Sequence, residues 1–279
     1  MRRAVWLAAL VAAPVAVGIA YSLAAATGLA GFDAGSFTLA RIQRVLSERA
    51  VWESLGWTVR TAAFATALAG AAACAAAVAF RRASPLDRVA RALAVLPLPL
   101  PHLVAAATAV LVLGQSGLLS RIAAAAGWIA MPAQMPALVY DRGGIGLILM
   151  LGWKEFPFLA LVAFSVLATR GAALEETARS LGAGRWQTFR RVTWPILWRG
   201  LAPAAVSVFA FAAGSYEAAA LLAPSDPLAF PVLTYERYTE PDLTLRGDAF
   251  VLALVGFLIA ALAVGLHEWL RSRVERLDV

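Results

Sequence analysis

Glu176-Thr177-Ala178-Arg179-Ser180-Leu181-Gly182, followed after nine residues by Val192-Thr193-Trp194-Pro195, forms a polar, arginine-rich loop lodged between two long apolar stretches. Those stretches, residues 145–167 and 201–222, are long enough for a helix to cross a hydrocarbon core of about 30 Å. Four more segments have the same character: residues 5–30, 57–80, 92–113 and 250–270. Together they explain a composition of 61% hydrophobic and 15% charged residues over 279 positions. A soluble domain has about 45–50% apolar and about 25% charged residues. The chain therefore reads as an integral membrane protein, with too little length outside the spans for a separate catalytic domain. In lipid only helices or closed barrels satisfy the backbone, and these runs lack the alternation of barrel strands. An all-α bundle of six transmembrane helices is expected.

Lys and Arg in the connecting segments set the orientation. Fifteen arginines fall on one side: Arg2 and Arg3; Arg81, Arg82, Arg88 and Arg91; Arg170, Arg179, Arg185, Arg190, Arg191 and Arg199; Arg271, Arg273 and Arg276. Seven fall on the other, namely Arg41, Arg44, Arg49, Arg121, Arg142, Arg237 and Arg246. The richer side is expected to be cytoplasmic, with both termini inside. The net charge of +7 follows from this asymmetry. Arginines spread over membrane-flanking loops do not fit a nucleic-acid partner. Arg2-Arg3 before an apolar run also resembles a signal peptide, but the run is about twice a typical h-region and its removal would leave five spans. An uncleaved first helix is expected.

Local features refine the bundle. Leu39, Ile42, Val45 and Leu46 recur at helical spacing among polar residues, which reads equally as an amphipathic helix on the outer interface or as a packed loop helix. Pro97, Pro99 and Pro101 alternate with leucines at the start of the third span. Each removes a donor and restricts the residue before it, so a broken or kinked start is expected. The second span is rich in Ala and Gly, suited to close helix approach at the bundle centre or a subunit interface. Cys74, the only cysteine, sits among alanines as a packing residue. His102 and His267 lie far apart with no metal-ligand spacing, and Gly114-Gln115-Ser116-Gly117 does not have the spacing of a nucleophile elbow. No metal, cofactor or catalytic residue is expected.

Within the loop, Leu174, Ala178 and Leu181 make one apolar stripe, while Glu175, Glu176, Arg179 and Ser180 take the other faces. Gly182-Ala183-Gly184 supplies a flexible break before Arg185, Trp186 and Phe189, and Pro195 falls where the chain re-enters the membrane. Two short helices meeting at a glycine corner give a knob with an apolar face and charged rims, as protein-docking surfaces have. A loop whose arginines meet anionic lipid is the alternative reading of the residues alone.

The spacing of Glu176, Gly182 and Pro195 resembles the EAA loop of ABC importer permeases: Glu-Ala-Ala, three residues, Gly, nine residues, Ile-x-Leu-Pro. Thr177, Val192 and Trp194 depart from it. The resemblance implies a type I permease bundle in the bacterial inner membrane, with the loop docked on an ATP-hydrolysing subunit. Residues 172–191 would then sit in a cleft of that subunit, with Glu176, Ala178, Leu181, Gly182, Arg185 and Pro195 as coupling positions. It also implies two ATP-binding subunits, a second permease, homologous or identical, and an extracytoplasmic substrate-binding protein. A Walker A loop needs Gly-Lys-Ser/Thr, and the only lysine, Lys154, stands between Trp153 and Glu155. The driving energy must come from a partner or an ion gradient.

Lys154 and Glu155 fall mid-span and Glu217 lies in the outer half of the fifth span. Charges at such depth are costly and commonly face an interior or a water-filled path. Lys154 is placed to reach Glu217, or Glu155 of a neighbouring subunit. Trp153, Lys154, Glu155, Tyr216 and Glu217 then read either as pathway residues or as an interhelical ion pair. As a pathway, the carboxylates and rings favour a small organic cation. The segment Phe230-Pro231-Val232-Leu233-Thr234-Tyr235-Glu236-Arg237-Tyr238 is similar to spermidine/putrescine-type permeases, in a branch that also includes thiamine, iron and sulfate importers. Lys154 would serve an anion equally well. The rival is an ion-gradient-driven secondary transporter using the same three charges as relays.

Overall fold

The computed structural model describes residues 2–32, 34–81 and 84–276. Arg82 and the side chains of Arg2, Arg3, Arg170 and Arg276, which contribute to the charge asymmetry, lie outside the described residues. Among the described residues the chain is all helical, without strand. Helix α1 (Arg2–Ala26) is followed by the short α2 (Ala40–Ser47) and by α3 (Arg49–Ala79). Next come α4 (Pro85–Val95), α5 (His102–Leu113), α6 (Leu118–Ala125) and α7 (Ile145–Val166). The arginine-rich loop contains α8 (Ala172–Ser180) and α9 (Arg185–Thr188). Then follow α10 (Trp194–Gly214), α11 (Tyr216–Leu222), α12 (Phe230–Tyr238) and α13 (Gly247–Arg276).

Among the described residues, five helical stretches are long and apolar enough to cross a membrane: Arg49–Ala79, His102–Ala125, Ile145–Thr169, Arg185–Gly214 and Gly247–Arg273. A shorter apolar stretch, Ala12–Ala26, lies in α1. The triple-proline segment breaks the third span as its chemistry requires, since α4 ends at Val95 and α5 starts only at His102. The start of α4 is fixed by a capping box: Ser84 Oγ accepts from the Asp87 amide at 3.1 Å, and Asp87 Oδ2 accepts from the Ser84 amide at 3.3 Å.

The fifth span differs from its expected limits of 201–222. Its helix α10 begins at Trp194, stops at Gly214, and resumes as α11 after the extended Ser215. Pro195 stands at the start of that helix. It lies in the first turn of α10, directly after a π-type turn (Phe189–Thr193) in which the Trp194 amide donates to Phe189 O. That wider turn shifts the hydrogen-bond register where the proline has no N–H to offer.

The chain divides into two compact units, residues 1–57 with 227–261 and residues 58–226 with 262–279. In the first, Val45 of α2 is 1% exposed and packs with Phe230, Leu233, Val251 and Leu252. Of the two readings of residues 39–46, the structure therefore has the packed loop helix. Its polar face is tied down by charge. Asp248, 1% exposed, accepts two hydrogen bonds from Arg44 at 2.7 and 2.9 Å, with Arg41 and Arg237 each 3.7 Å away. Arg237 also donates to Glu48 at 2.6 Å.

In the second unit Ala69, Ala73 and Ala77 of α3 lie at i, i+4 and i+8 and are buried against Leu159, Ala160 and Ala163 of α7 and Leu197, Leu201 and Val208 of α10. The small-residue second span is thus central to this unit, and Cys74 packs beside the same core. Apolar side chains such as Phe64, Leu161 and Phe211 remain exposed on these helices, a surface suited to lipid. Arg60, inside the second span, is exposed and donates to the carbonyls of Arg142 and Gly143 at 3.0 and 3.2 Å.

Candidate functional site

The arginine-rich loop grows from two bent helices. α7 runs through a π-type turn (Leu167–Gly171) into α8, and α9 runs through the second π-type turn into α10. Such turns leave one residue more per turn than an α-helix and cluster at functional places. Between the two arms the chain reverses at Gly182, whose φ is +86°. The Gly182 amide donates to Arg179 O at 2.9 Å and the Ala183 amide to Ala178 O at 3.0 Å, the paired bonds of a Schellman end. The expected flexible break is therefore a formed corner. Its backbone carbonyls are satisfied, and only a residue without Cβ adopts its conformation at no cost.

The corner presents apolar surface. Leu181 is 83% exposed, Trp186 69% and Leu174 53%, with exposed Glu176 and Arg185 beside them. Trp186 stacks on Phe189 with ring centroids 5.6 Å apart, which holds the indole in place. Ala178 and Pro195 are half-buried. The stripe Leu174, Ala178, Leu181 thus points largely outward. The opposite face of α8 is turned inward by Glu175. Its side chain is 6% exposed and accepts from Arg81 at 2.7 Å, Arg179 at 2.7 Å and Thr193 at 2.6 Å. A buried carboxylate persists only when so fully bonded. Beside it lies a cavity of about 620 Å³ whose lining includes Arg81, Arg91, Phe164, Glu175, Arg179 and Arg185.

The charges at membrane depth are arranged differently from the expectation. Lys154 is 4% exposed and donates to Leu98 O at 3.3 Å, not to Glu217. Glu155, 9% exposed, lies 2.8 Å from His102 Nε2. The proline break explains both partners. Leu98 is followed three positions on by Pro101, which has no N–H, so its carbonyl lacks a turn donor and takes one from Lys154. His102 is the first residue of α5, and Glu155 places its carboxyl group at that helix start. His102 also packs on Phe211, with ring centroids 4.6 Å apart. Trp153, Tyr216 and Glu217 are exposed, the latter two on α11 beyond the break at Ser215. The structure therefore groups Lys154 and Glu155 with Leu98 and His102.

Glu175 and His102 are the residues that pattern reading passed over. The available signal for His102 was its place immediately after the prolines. For Glu175 it was a second carboxylate beside the motif glutamate.

An all-helical chain with a hydrogen-bonded, glycine-cornered loop between two long apolar helices has the make-up of a multi-span membrane permease. Residues 69–276 match the binding-protein-dependent transport system inner membrane component family, and the chain belongs to it. It is 31% identical over 182 residues to a probable sulfate transport system permease protein of Chlorella vulgaris, covering 64% of this chain and 65% of that protein. It is 30% identical over 182 residues to a probable molybdenum ABC transporter permease protein of Haloferax volcanii, covering 64% and 62%. The matches thus span just under two thirds of these relatives' length. The fold is also that of a chain in a bacterial alginate ABC transporter, crystallised in complex with an alginate pentasaccharide-bound periplasmic protein. The TM-score there is 0.68 at 16% identity, covering 99% of this chain and 92% of that one.

Proposed function

We propose that the chain is the permease subunit of an ATP-binding cassette importer and supplies half of its translocation pore. Residues 1–279 act as one permease domain with both termini in the cytoplasm. A second permease, identical or homologous, completes the pore. Two ATP-binding subunits sit inside, and a substrate-binding protein delivers from outside. The chain itself neither makes nor breaks bonds. The observation that carries this reading is the ordered corner at Gly182, which holds Leu181 and Trp186 out from the bundle with Glu176 and Arg185 on the rim. Closure of the ATP-binding pair would pull on this knob and open the pore outward, and hydrolysis would reset it, with each nucleotide state favouring one arrangement of the spans.

For the substrate, a small oxyanion is preferred over the organic cation that the carboxylates first suggested. Glu155 is engaged by His102, while Lys154 contributes a cation at the same depth whose only partner among the described residues is the Leu98 carbonyl. Relatives named for sulfate and molybdenum transport support the same choice. A polyamine is the second reading, favoured by the exposed rings of Trp153 and Tyr216 and the exposed carboxylate of Glu217.

The test is uptake into proteoliposomes containing the assembly that co-purifies with the chain. ATP-dependent uptake of molybdate or sulfate, uncompeted by spermidine, is expected. Uptake driven by an ion gradient with no ATP-binding subunit present would overturn the importer reading. Uptake of spermidine uncompeted by oxyanions would overturn the substrate choice alone.

A further inference from the structure

We infer that Glu175, and not the motif glutamate Glu176 beside it, is the residue through which movement of the coupling loop reaches the spans. The inference rests on the ATPase-coupled reading above. The two carboxylates are neighbours on α8 yet differ in kind. Glu176 is exposed on the rim and makes no hydrogen bond or ion pair among the described residues. Glu175 is buried, with its two oxygens divided between three elements.

Its Oε2 accepts from Arg81, which follows the end of α3, and from Arg179 on its own helix. Its Oε1 accepts from the hydroxyl of Thr193, which is 1% exposed and lies in the π-type turn leading to α10. Arg81 follows a segment that is itself held, since Arg91 of α4 donates to Phe80 O at 2.7 Å and lies 5.5 Å from the Phe164 ring centroid in α7. A single carboxylate thus connects the loop helix to the inner ends of the second and fifth spans, and through Arg91 to the third and fourth.

The three bonds are short, and two of them are salt bridges. Charge-assisted bonds of this kind hold orientation better than apolar contact, which lets helices slide. Moving α8 without moving Arg81 and Thr193 would strip the buried carboxylate of two of its three donors, leaving only Arg179 of its own helix, so the displacement is passed on. The π-type turns at either side of the loop are the places where helix register can yield. Glu175 is a positioning residue in this scheme. Buried, it leaves the docking surface of Leu181 and Trp186 untouched.

The experiment uses the complete assembly in proteoliposomes, with Glu175→Ala and Glu175→Gln compared with wild type. Three quantities are read: co-purification of the ATP-binding subunits, ATP hydrolysis, and substrate transported per ATP. Both variants are expected to keep the ATP-binding subunits bound. The alanine variant should transport at least tenfold less substrate per ATP. The glutamine variant, which keeps an acceptor for Thr193, should fall between. Thr193→Val should lower the same ratio, whereas Glu176→Gln should alter binding of the ATP-binding subunits before it alters the ratio. Wild-type stoichiometry in Glu175→Ala would overturn the inference. So would loss of the ATP-binding subunits from both Glu175 variants, because Glu175 would then serve only to fold the docking surface. Failure of the proposed function itself is distinguishable, since wild type would then carry no ATP-binding subunit.

Discussion

Gly182→Val is expected to abolish ATP-driven uptake while the chain still inserts and accumulates in the membrane at near wild-type amount. The reason is backbone conformation, because a Cβ built at Gly182 meets nothing within 4 Å. At φ +86° a β-branched residue is strained by about 1–3 kcal/mol. Each ~1.4 kcal/mol is a factor of about ten in a conformational equilibrium. The strain is relieved by abandoning the Schellman bonds to Arg179 O and Ala178 O, which displaces Leu181 from the corner. The spans do not depend on those bonds, so insertion survives. Gly184→Ala is the matched control. Gly184 has φ −67° and open space around its Cβ position, so that variant should transport normally. Uptake, ATP hydrolysis and membrane abundance measured together decide the matter. Normal uptake by Gly182→Val would remove the corner from the mechanism.

The largest effect on stability is expected from Asp248→Ala. Asp248 is 1% exposed and faces Arg44, Arg41 and Arg237 from α2 and α12. Its removal leaves several guanidinium groups without their buried counter-charge, and breaking one side of such a cluster costs about 3–5 kcal/mol. The detergent-purified variant should show a clearly lowered thermal midpoint and earlier proteolysis within α2. Removing the matching cation as well, in Arg44→Met with Asp248→Leu, should recover part of the loss, because an apolar pair of similar volume needs no compensation. An unchanged midpoint in Asp248→Ala would mean that Glu48 and water satisfy the arginines unaided.

The architecture was largely legible in the residues because lipid imposes a local rule. Apolar length, charge bias at the flanks and internally satisfied backbone can each be read from neighbouring positions, and so can a proline triplet that must interrupt a helix. The loop was legible for a similar reason. The need for glycine at position 182 follows from a helix end, and the spacing of Glu176, Gly182 and Pro195 is a property of the chain itself. The end of the fifth span was missed at Ser215, where the apolar run continues through a backbone break. Hydropathy does not register that break.

Partners were not legible. Arg81 and Glu175 are 94 positions apart, Lys154 and Leu98 are 56 apart, and Arg44 and Asp248 are 204 apart. Sequence by itself determined that this chain is a helical membrane permease with a glycine-interrupted polar loop, since those properties depend on local composition and spacing. Tertiary structure alone decided which of two adjacent glutamates is buried and which faces out. It also decided that Lys154 and Glu155 attend a proline break, and that α2 packs inward. Each of those outcomes depends on donors and acceptors brought together by folding, and the cost of leaving a buried charge unpaired selects among them.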